Sequence, residues 1–317
     1  MAIAAGVSLG SEPISLARAM TDAASFDAAA VSIRLPRVIL GALTGAGLSV
    51  VGVALQATLR NPLAEPYVLG VSGGAALGAT LAIVLGLTSA TLIGASLLPL
   101  SALLGGLGAM ALVHGLARGG TAGSAEGRGS SLLLVGVVVN AFASALITFL
   151  KTTISAEKSQ ALLFWLMGFL DAPRPLALAF VALYVLLGAA AILRDAGRLN
   201  LLALGEETAS SLGIDVQALE RRTLFASSLV VGAVVSVTGL IGFVGLVVPH
   251  AVRRVLGPDV RVLGPVSFFA GGAALVLCDL ASRLAFRWLG TEPPVGAVTA
   301  LLGGPAFLLI LRRERLA

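Results

Sequence analysis

The sequence predicts an all-α polytopic membrane protein, and three observations carry that reading. Hydrophobic residues make up 57% of the 317 and charged residues only 12%, against about 25% charged in soluble domains. Mean hydropathy is +1.01, so a chain of this composition has too little polar surface to face water all round. Finally, the apolar runs are broken by Gly and Pro rather than alternating with polar residues at period two, which favours helices over a barrel. Cys278, inside an apolar run, is the one cysteine, so an internal disulfide and a Cys-based metal site are excluded. The basic balance, +5 net, comes from arginines flanking the apolar runs and implies a membrane rather than nucleic acid.

The elements follow in order. Segment 1–9 is apolar but too short for hydrocarbon that takes about twenty residues to cross, and no basic stretch precedes it as in a signal peptide. It reads as the tail of a truncated first span, and the native protein is expected to weigh more than 31.8 kDa. A polar segment, 10–32, comes next. Spans are then predicted at 38–59, 67–87, 92–116, 131–153, 176–193, 223–238, 240–255, 262–286 and 295–311, which makes nine, or ten with the first. Residues 155–173, with Phe164, Trp165, Leu166 and Phe169 between polar ends, read as an interfacial amphipathic helix.

Basic residues orient the spans. Thirteen arginines, among them Arg60, Arg194, Arg198, Arg221, Arg222, Arg253 and Arg254, fall in one set of alternate loops. Eight basic residues, among them Arg34, Arg37, Lys151 and Arg283, fall in the other. The bias places the 200–222 loop and the C-terminus in the cytoplasm.

That loop is the polar elbow of the chain, holding Glu206, Glu207, Asp215 and Glu220. Gly205-Glu206-Glu207 opens a short helix with acids in its first turn. Gly213 closes it, and Asp215 caps a second helix that runs through Arg221-Arg222 into the next apolar run. Such an elbow is read either as a solvated loop or as a transmitter of a push from outside the bilayer.

Other constellations have a plain and a functional reading. Arg34-Leu-Pro-Arg37 and Arg283 stand at outer ends of spans, as snorkelling anchors or as guanidinium groups for the carboxylates of a docking partner. Asn61-Pro-Leu-Ala-Glu-Pro66 carries two prolines that forbid continuous helix, giving either a tight turn or a constriction at the inner edge of a pore; Gly129-Ser130-Ser131 opens a span opposite. Asp279 and Arg283, four apart, are expected to neutralise each other. His114 and His250 read as structural. Glycines such as Gly41, Gly45, Gly70, Gly74, Gly271 and Gly272 read as close helix packing, and the 67–78 stretch echoes 261–275. No nucleotide-binding loop, zinc motif or nucleophile elbow occurs, so the chain is not expected to hydrolyse ATP or to be an enzyme.

Together, Ile33-Arg-Leu-Pro-Arg37, Asn61-Pro-Leu-Ala-Glu-Pro66, Leu69-Gly-Val-Ser-Gly73, Gly205-Glu206 with Ala209 and Leu212-Gly213, and Gly242-Phe-Val-Gly-Leu-Val-Val-Pro-His250 occur in this order. The chain thereby resembles, over nearly its whole length, the FecCD-type permease subunits of bacterial ATP-binding-cassette importers for iron-siderophores, haem and cobalamin. The resemblance implies a single permease domain, 1–317, with the ten-span fold of type II importers, working as a homodimer in the bacterial inner membrane. It implies two cytoplasmic ATPase subunits that hold ATP and magnesium, no cofactor in this chain, and a periplasmic or lipid-anchored substrate-binding protein. By the same resemblance Arg34, Arg37 and Arg283 meet the binding protein. Asn61 and Leu63, with Gly129 and Ser130, form the cytoplasmic gate, Gly129 standing where the family can carry a hydroxyl residue. Gly205, Glu206, Glu207, Ala209, Leu212 and Gly213 form the coupling helices at about 200–222. An iron complex, haem or ferric siderophore, is the expected cargo and cobalamin the alternative. An ion-coupled secondary transporter is the rival class, though Asp279 stands nearly alone as an intramembrane carboxylate.

Overall fold

In the computed structural model, residues 1–314 are described except 11, 13, 23, 88–90, 93–94 and 120–124. Helices follow one another along the described chain. The first are α1 (Ala2–Ser8), α2 (Leu16–Thr21) and α3 (Phe26–Thr58), then a 3-10 turn (Pro66–Leu69) and α4 (Val71–Val84). A two-residue antiparallel ribbon pairs β1 (Thr91–Leu92) with β2 (Ala95–Ser96). Next come α5 (Leu97–Gly119), α6 (Ala125–Thr152), α7 (Ala156–Met167) and α8 (Pro175–Arg194). The chain continues through α9 (Ala196–Ala203), α10 (Glu206–Ser211), α11 (Val216–Thr238), α12 (Val244–Leu256), α13 (Val260–Leu289) and α14 (Val295–Glu314).

A helix occupies each of the nine apolar segments expected from sequence. Among the described residues, six (in α3, α5, α6, α8, α11 and α13) are long and apolar enough to cross a membrane, and α4 and α14 are shorter apolar helices. α12, at 13 residues, extends only about 20 Å at 1.5 Å per residue and cannot cross alone.

Three boundaries differ from expectation. α3 begins at Phe26, not at 38, because Ser25 caps it by accepting from Ala28 N at 3.2 Å, with Asp27 in the first turn. Pro36 is therefore inside the helix; the bond it forfeits lies in the polar first turns, where α2 and Arg34 pack, rather than in the core. The second span divides at Gly70, whose φ of 85° separates the 3-10 turn from α4. The elbow holds a helix the sequence reading missed, α9.

α3 is the central post. Its most apolar window is 83% buried, and Leu48, Val50, Val51, Val53 and Ala54 are fully enclosed by α8, α11, α12 and α13. α3 and α13 cross at backbone contact: a Cβ on Gly45 would run into the Gly271 carbonyl and lie 2.8 Å from Leu275 Cβ, and one on Gly271 into the Gly45 carbonyl. In hydrocarbon, where apolar side chains gain little by leaving lipid, such close approach provides much of the packing energy. α4 and α5 repeat the device with Gly74 against the Gly105 carbonyl. The internal echo thus joins two segments, 67–78 and 261–275, that use the same packing solution. Outward faces stay apolar, with Leu134 and Phe142 on α6, Leu183 and Leu187 on α8, and Leu301 and Leu308 on α14 all more than half exposed, as lipid-facing surface requires.

Candidate functional site

Two polar sites flank this apolar body, one around α10 and one around Asp279. At the first, α10 forms as its sequence dictates. Gly205 adopts φ 128° before it and Gly213 φ 82° after it, conformations that suit glycine. Asp215 caps α11, its carboxylate accepting from Ala218 N at 2.9 Å, and α11 then continues unbroken from the elbow into the apolar run. α10 has two faces: Glu206 and Ala209 are buried, while Glu207, Ser210, Ser211 and Leu212 are exposed, Leu212 by 59%. The exposed side borders an open cavity of about 700 Å³ lined by Glu207, Ser210, Ser211, Asp215 and Gln217.

The buried side grips another element. Arg60 Nη2 donates to Glu206 Oε1 at 3.1 Å, with the carboxylate side chain only 9% exposed. Arg60 is the residue after the α3 C-cap. Its N–H donates to Ala57 O at 3.4 Å and Asn61 N–H to Gln56 O at 3.2 Å, the pair of bonds of a Schellman motif. That motif places Arg60 at φ 49°, where glycine is the usual occupant and a side chain costs about 1–2 kcal/mol. An arginine there gains what glycine cannot supply, a guanidinium that reaches α10.

From Arg60 the chain leaves helix. Asn61 folds the next turn by accepting from Leu63 N on its side chain at 2.9 Å, which leaves Leu63 47% exposed. The segment then climbs. Glu65 Oε1 accepts from Phe243 N at 2.6 Å, and near by Tyr67 Oη accepts from Ile241 N at 2.9 Å. A Cβ on Gly245 would lie 2.8 Å from Leu48 O and 2.9 Å from Pro66 Cδ, so Pro66 sits level with Leu48. Leu48 stands ten residues before the end of α3, or about 15 Å along it. The motif expected as a turn at the inner edge is a turn over residues 61–64, closed by Ala64 N–H donating to Asn61 O at 3.0 Å with Pro62 and Leu63 exposed; the non-helical backbone after it carries the buried Pro66 to the side of α12, which hydrocarbon permits only where protein encloses it or a water-filled cavity borders it.

Its far end meets a second strained residue. Phe243 begins α12 at φ 68°, an outlier for a bulky side chain. It is fixed from both directions: Glu65 takes its N–H, and its ring fills the space left by Gly303, where a Cβ would come within 2.8 Å of Phe243 Cγ. The other end of α12 is tied to α3 by Arg253 Nη2 donating to Gln56 Oε1 at 2.7 Å. Glu206, Arg60, residues 61–65, Phe243 and α12 thus form one continuous connection.

The second site gathers the other predicted residues around Asp279, which is 1% exposed. Arg283 Nε donates to Asp279 Oδ2 at 3.0 Å, the expected i,i+4 pair, and Arg37 Nε donates to Asp279 Oδ1 at 2.9 Å. Arg37 also reaches Glu292 at 3.0 Å. Arg283 turns inward, donating to Gly6 O at 2.6 Å and Leu9 O at 3.1 Å at the end of α1, and is only 4% exposed. Arg34 donates to Glu12 O at 2.9 Å. The three arginines are brought together, with Arg34 and Arg37 partly exposed and Arg283 enclosed as the clamp on α1.

Gly129 and Ser130 fall in the first turns of α6, and their side-chain surroundings lie outside the described residues. Sequence reasoning missed Arg60, Glu65 and Phe243 as connected residues. A charged residue directly after a long apolar helix, and an acid between two prolines, were the available signals.

The sequence matches the FecCD transport family over residues 1–313. It is 44% identical over 282 residues to the cobalamin import system permease of Halobacterium salinarum, covering 89% of this chain and 72% of that one. It is 36% identical over 285 residues to the hemin transport system permease of Yersinia pestis, covering 90% and 83%. A solved structure of a metal-chelate type ABC transporter in an inward-facing conformation superposes with TM-score 0.82 at 33% identity, covering 98% of this chain and 95% of that chain.

Proposed function

Because the chain belongs to the FecCD transport family, and its relatives named here are permeases of cobalamin and hemin transport systems and a metal-chelate type ABC transporter, we propose that it forms the membrane path for inward transport of an iron complex, haem or a ferric siderophore, in an ATP-binding-cassette importer. Cobalamin is the second reading, favoured by the relative at 44% identity. In this reading the whole chain is one permease domain of ten spans, α1 belonging to the first, paired as a homodimer in the bacterial inner membrane. The α10 end faces the cytoplasm with the C-terminus, as the excess of arginines there supports. Two ATPase subunits, which hold the ATP and magnesium, engage the exposed face of α10, with Glu207 on it, Gly205 before it, and Leu212 and Gly213 at its C-terminal end. A binding protein docks at the opposite end on Arg34 and Arg37, with Arg283 holding α1 beneath them. Asn61 and Leu63, with Gly129 and Ser130 across the path, form the cytoplasmic gate.

The observation that carries the proposal is the continuous connection from Glu206 through Arg60 to Glu65 and Phe243. A displacement of α10 by the ATPase pulls Arg60, shifts the 61–65 segment and re-aims α12, so motion imposed at the elbow reaches the interior. An ion-coupled transporter has no use for that linkage. In liposomes holding permease, ATPase and binding protein, uptake of the ligand bound by the binding protein is expected to stop when the ATPase is catalytically disabled. Continued uphill accumulation with the disabled ATPase would overturn the proposal.

A further inference from the structure

A cavity of about 380 Å³ opens between the α10 ends of α8 and α11, lined by Arg194, Arg198, Arg222 and Asp195 with Ala191, Ile192, Thr223, Phe225 and Ala226. That volume falls within the range of about 300–1,000 Å³ found for small-ligand sites. Asp195 is 7% exposed and spends both oxygens inward: Arg198 donates to one, and Arg222 Nε lies 3.5 Å from the other. Among the described residues it is the one carboxylate lining the cavity, against three guanidinium groups, so two positive charges are left over. Arg198 and Arg222 side chains remain 54% and 56% exposed.

The walls are divided by polarity. Toward the α10 end stand the three arginines; toward the body of the bundle stand Ala191 and Phe225, the latter 64% exposed. Above Ala191 on the same helical stripe are Leu187 and Leu183, four and eight residues earlier, both more than half exposed. A basic mouth at the edge of the membrane, opening onto an apolar track facing lipid, is the chemistry of a phospholipid with an anionic head.

We propose that this cavity binds the phosphate headgroup of an anionic phospholipid, its acyl chain lying along Leu183 and Leu187. The phosphate would bridge Arg194, the last residue of α8, and Arg198 of α9 to Arg222 in the second turn of α11. Those two helix ends bracket α9 and α10, so the lipid ties together the two supports of the elbow. The proposal rests on the functional reading only in taking the α10 end as cytoplasmic, and its test does not depend on transport.

The test is native mass spectrometry of the permease with its ATPase, released from nanodiscs of phosphatidylcholine containing phosphatidylglycerol. Wild type is expected to retain phosphatidylglycerol in preference to phosphatidylcholine. Arg194→Gln, which leaves in place the two arginines paired with Asp195, is expected to weaken that retention about fivefold, the effect of one basic group near an anionic surface. Arg222→Gln should do the same, with its thermal unfolding monitored because it also relaxes Asp195. Arg254→Gln removes equal charge from the same end outside the cavity and should leave retention unchanged. Equal loss in Arg254→Gln would overturn the proposal in favour of diffuse charge. Displacement of the lipid by inorganic phosphate at equal concentration would overturn it in favour of a free anion site. Unchanged lipid retention in Arg194→Gln, with weakened ATPase binding, would overturn it in favour of a protein carboxylate.

Discussion

Replacing Arg60 separates two effects that the wild-type residue combines. Its backbone at φ 49° costs about 1–2 kcal/mol for a residue with a side chain, and its guanidinium supplies a 3.1 Å ion pair to Glu206. With the arginine side chain 27% exposed and the carboxylate 9%, the Coulomb attraction at an effective dielectric of about 20 is roughly 5 kcal/mol. Desolvation offsets most of that, leaving about 2 kcal/mol as the cost of removing a charged hydrogen-bond partner. Arg60→Ala loses the pair and keeps the strain, so it is expected to cost about 2 kcal/mol. Arg60→Gly loses the pair but relieves the strain, so its cost falls to about 1 kcal/mol. Both sever the elbow from the 61–65 segment, and both should uncouple ATP hydrolysis from uptake. The assay is thermal unfolding of the purified permease in detergent, paired with ATPase rate and ligand uptake in liposomes. The distinctive result is an Arg60→Gly variant that is more stable than Arg60→Ala yet equally uncoupled. Equal stability of the two variants would refute the strain argument, and full coupling in Arg60→Gly would refute the linkage.

Further outcomes follow from the same geometry. Glu65→Gln keeps an acceptor for Phe243 N and should preserve stability, whereas Glu65→Ala orphans that buried donor and should cost about 1–3 kcal/mol; a Gln variant as unstable as the Ala one would show that the hydrogen bond is not what holds α12. Gly45→Val forces a branched side chain into the Gly271 carbonyl and is expected to lower detergent stability by at least about 1–3 kcal/mol, read by size-exclusion and thermal unfolding. Leu212→Arg, on the exposed face of α10, should leave unfolding unchanged and abolish stimulation of the ATPase; retained stimulation would move the contact elsewhere. Asp259 accepts from Arg261 N–H and from Asn200, which holds its carboxyl below the ordinary range, the backbone bond being the larger cause. A depressed folded pKa contributes stability above the ordinary carboxyl value and loses it as pH falls through the folded value. The acid limb of a stability–pH curve should therefore flatten in Asp259→Asn.

Much of the fold was legible because lipid imposes long apolar runs, and all nine expected segments became helices. The ends of α10 were equally plain, since Gly205, Gly213 and Asp215 have local chemistry that tertiary contacts do not override. The Asp279–Arg283 pair followed from helical spacing. What sequence could not reveal was nonlocal. Nothing near Arg283 indicates that it turns inward to the carbonyls of α1. Nothing in Glu65 indicates a partner 178 residues away. The path of the chain beyond the 61–64 turn was hidden for a related reason. Prolines announce a break in helix, but where the chain goes after it depends on Gly245 of α12, which clears space for Pro66.

The strained residues bear on how a small elbow moves a large bundle. Arg60 and Phe243 stand near the two ends of the linkage, each in the left-handed region and each fixed by a bond to a glutamate. Such residues store about 1–3 kcal/mol apiece and persist only where their surroundings over-determine them. Two of them together hold about 2–6 kcal/mol. Driving a two-state element from 1:99 to 99:1 takes about 5.5 kcal/mol, so the stored strain is comparable with the gap to be crossed. In the proposed reading, a push on α10 needs to loosen only the Glu206–Arg60 grip for the 61–65 segment to relax, and α12 follows because Glu65 holds the N–H of Phe243 at its start. The packed glycine crossings of α3 with α13 and α4 with α5 have no such slack. In that reading motion is expected to concentrate along the 60–65 segment and α12 while the crossings move as rigid bodies, the arrangement a bistable permease requires.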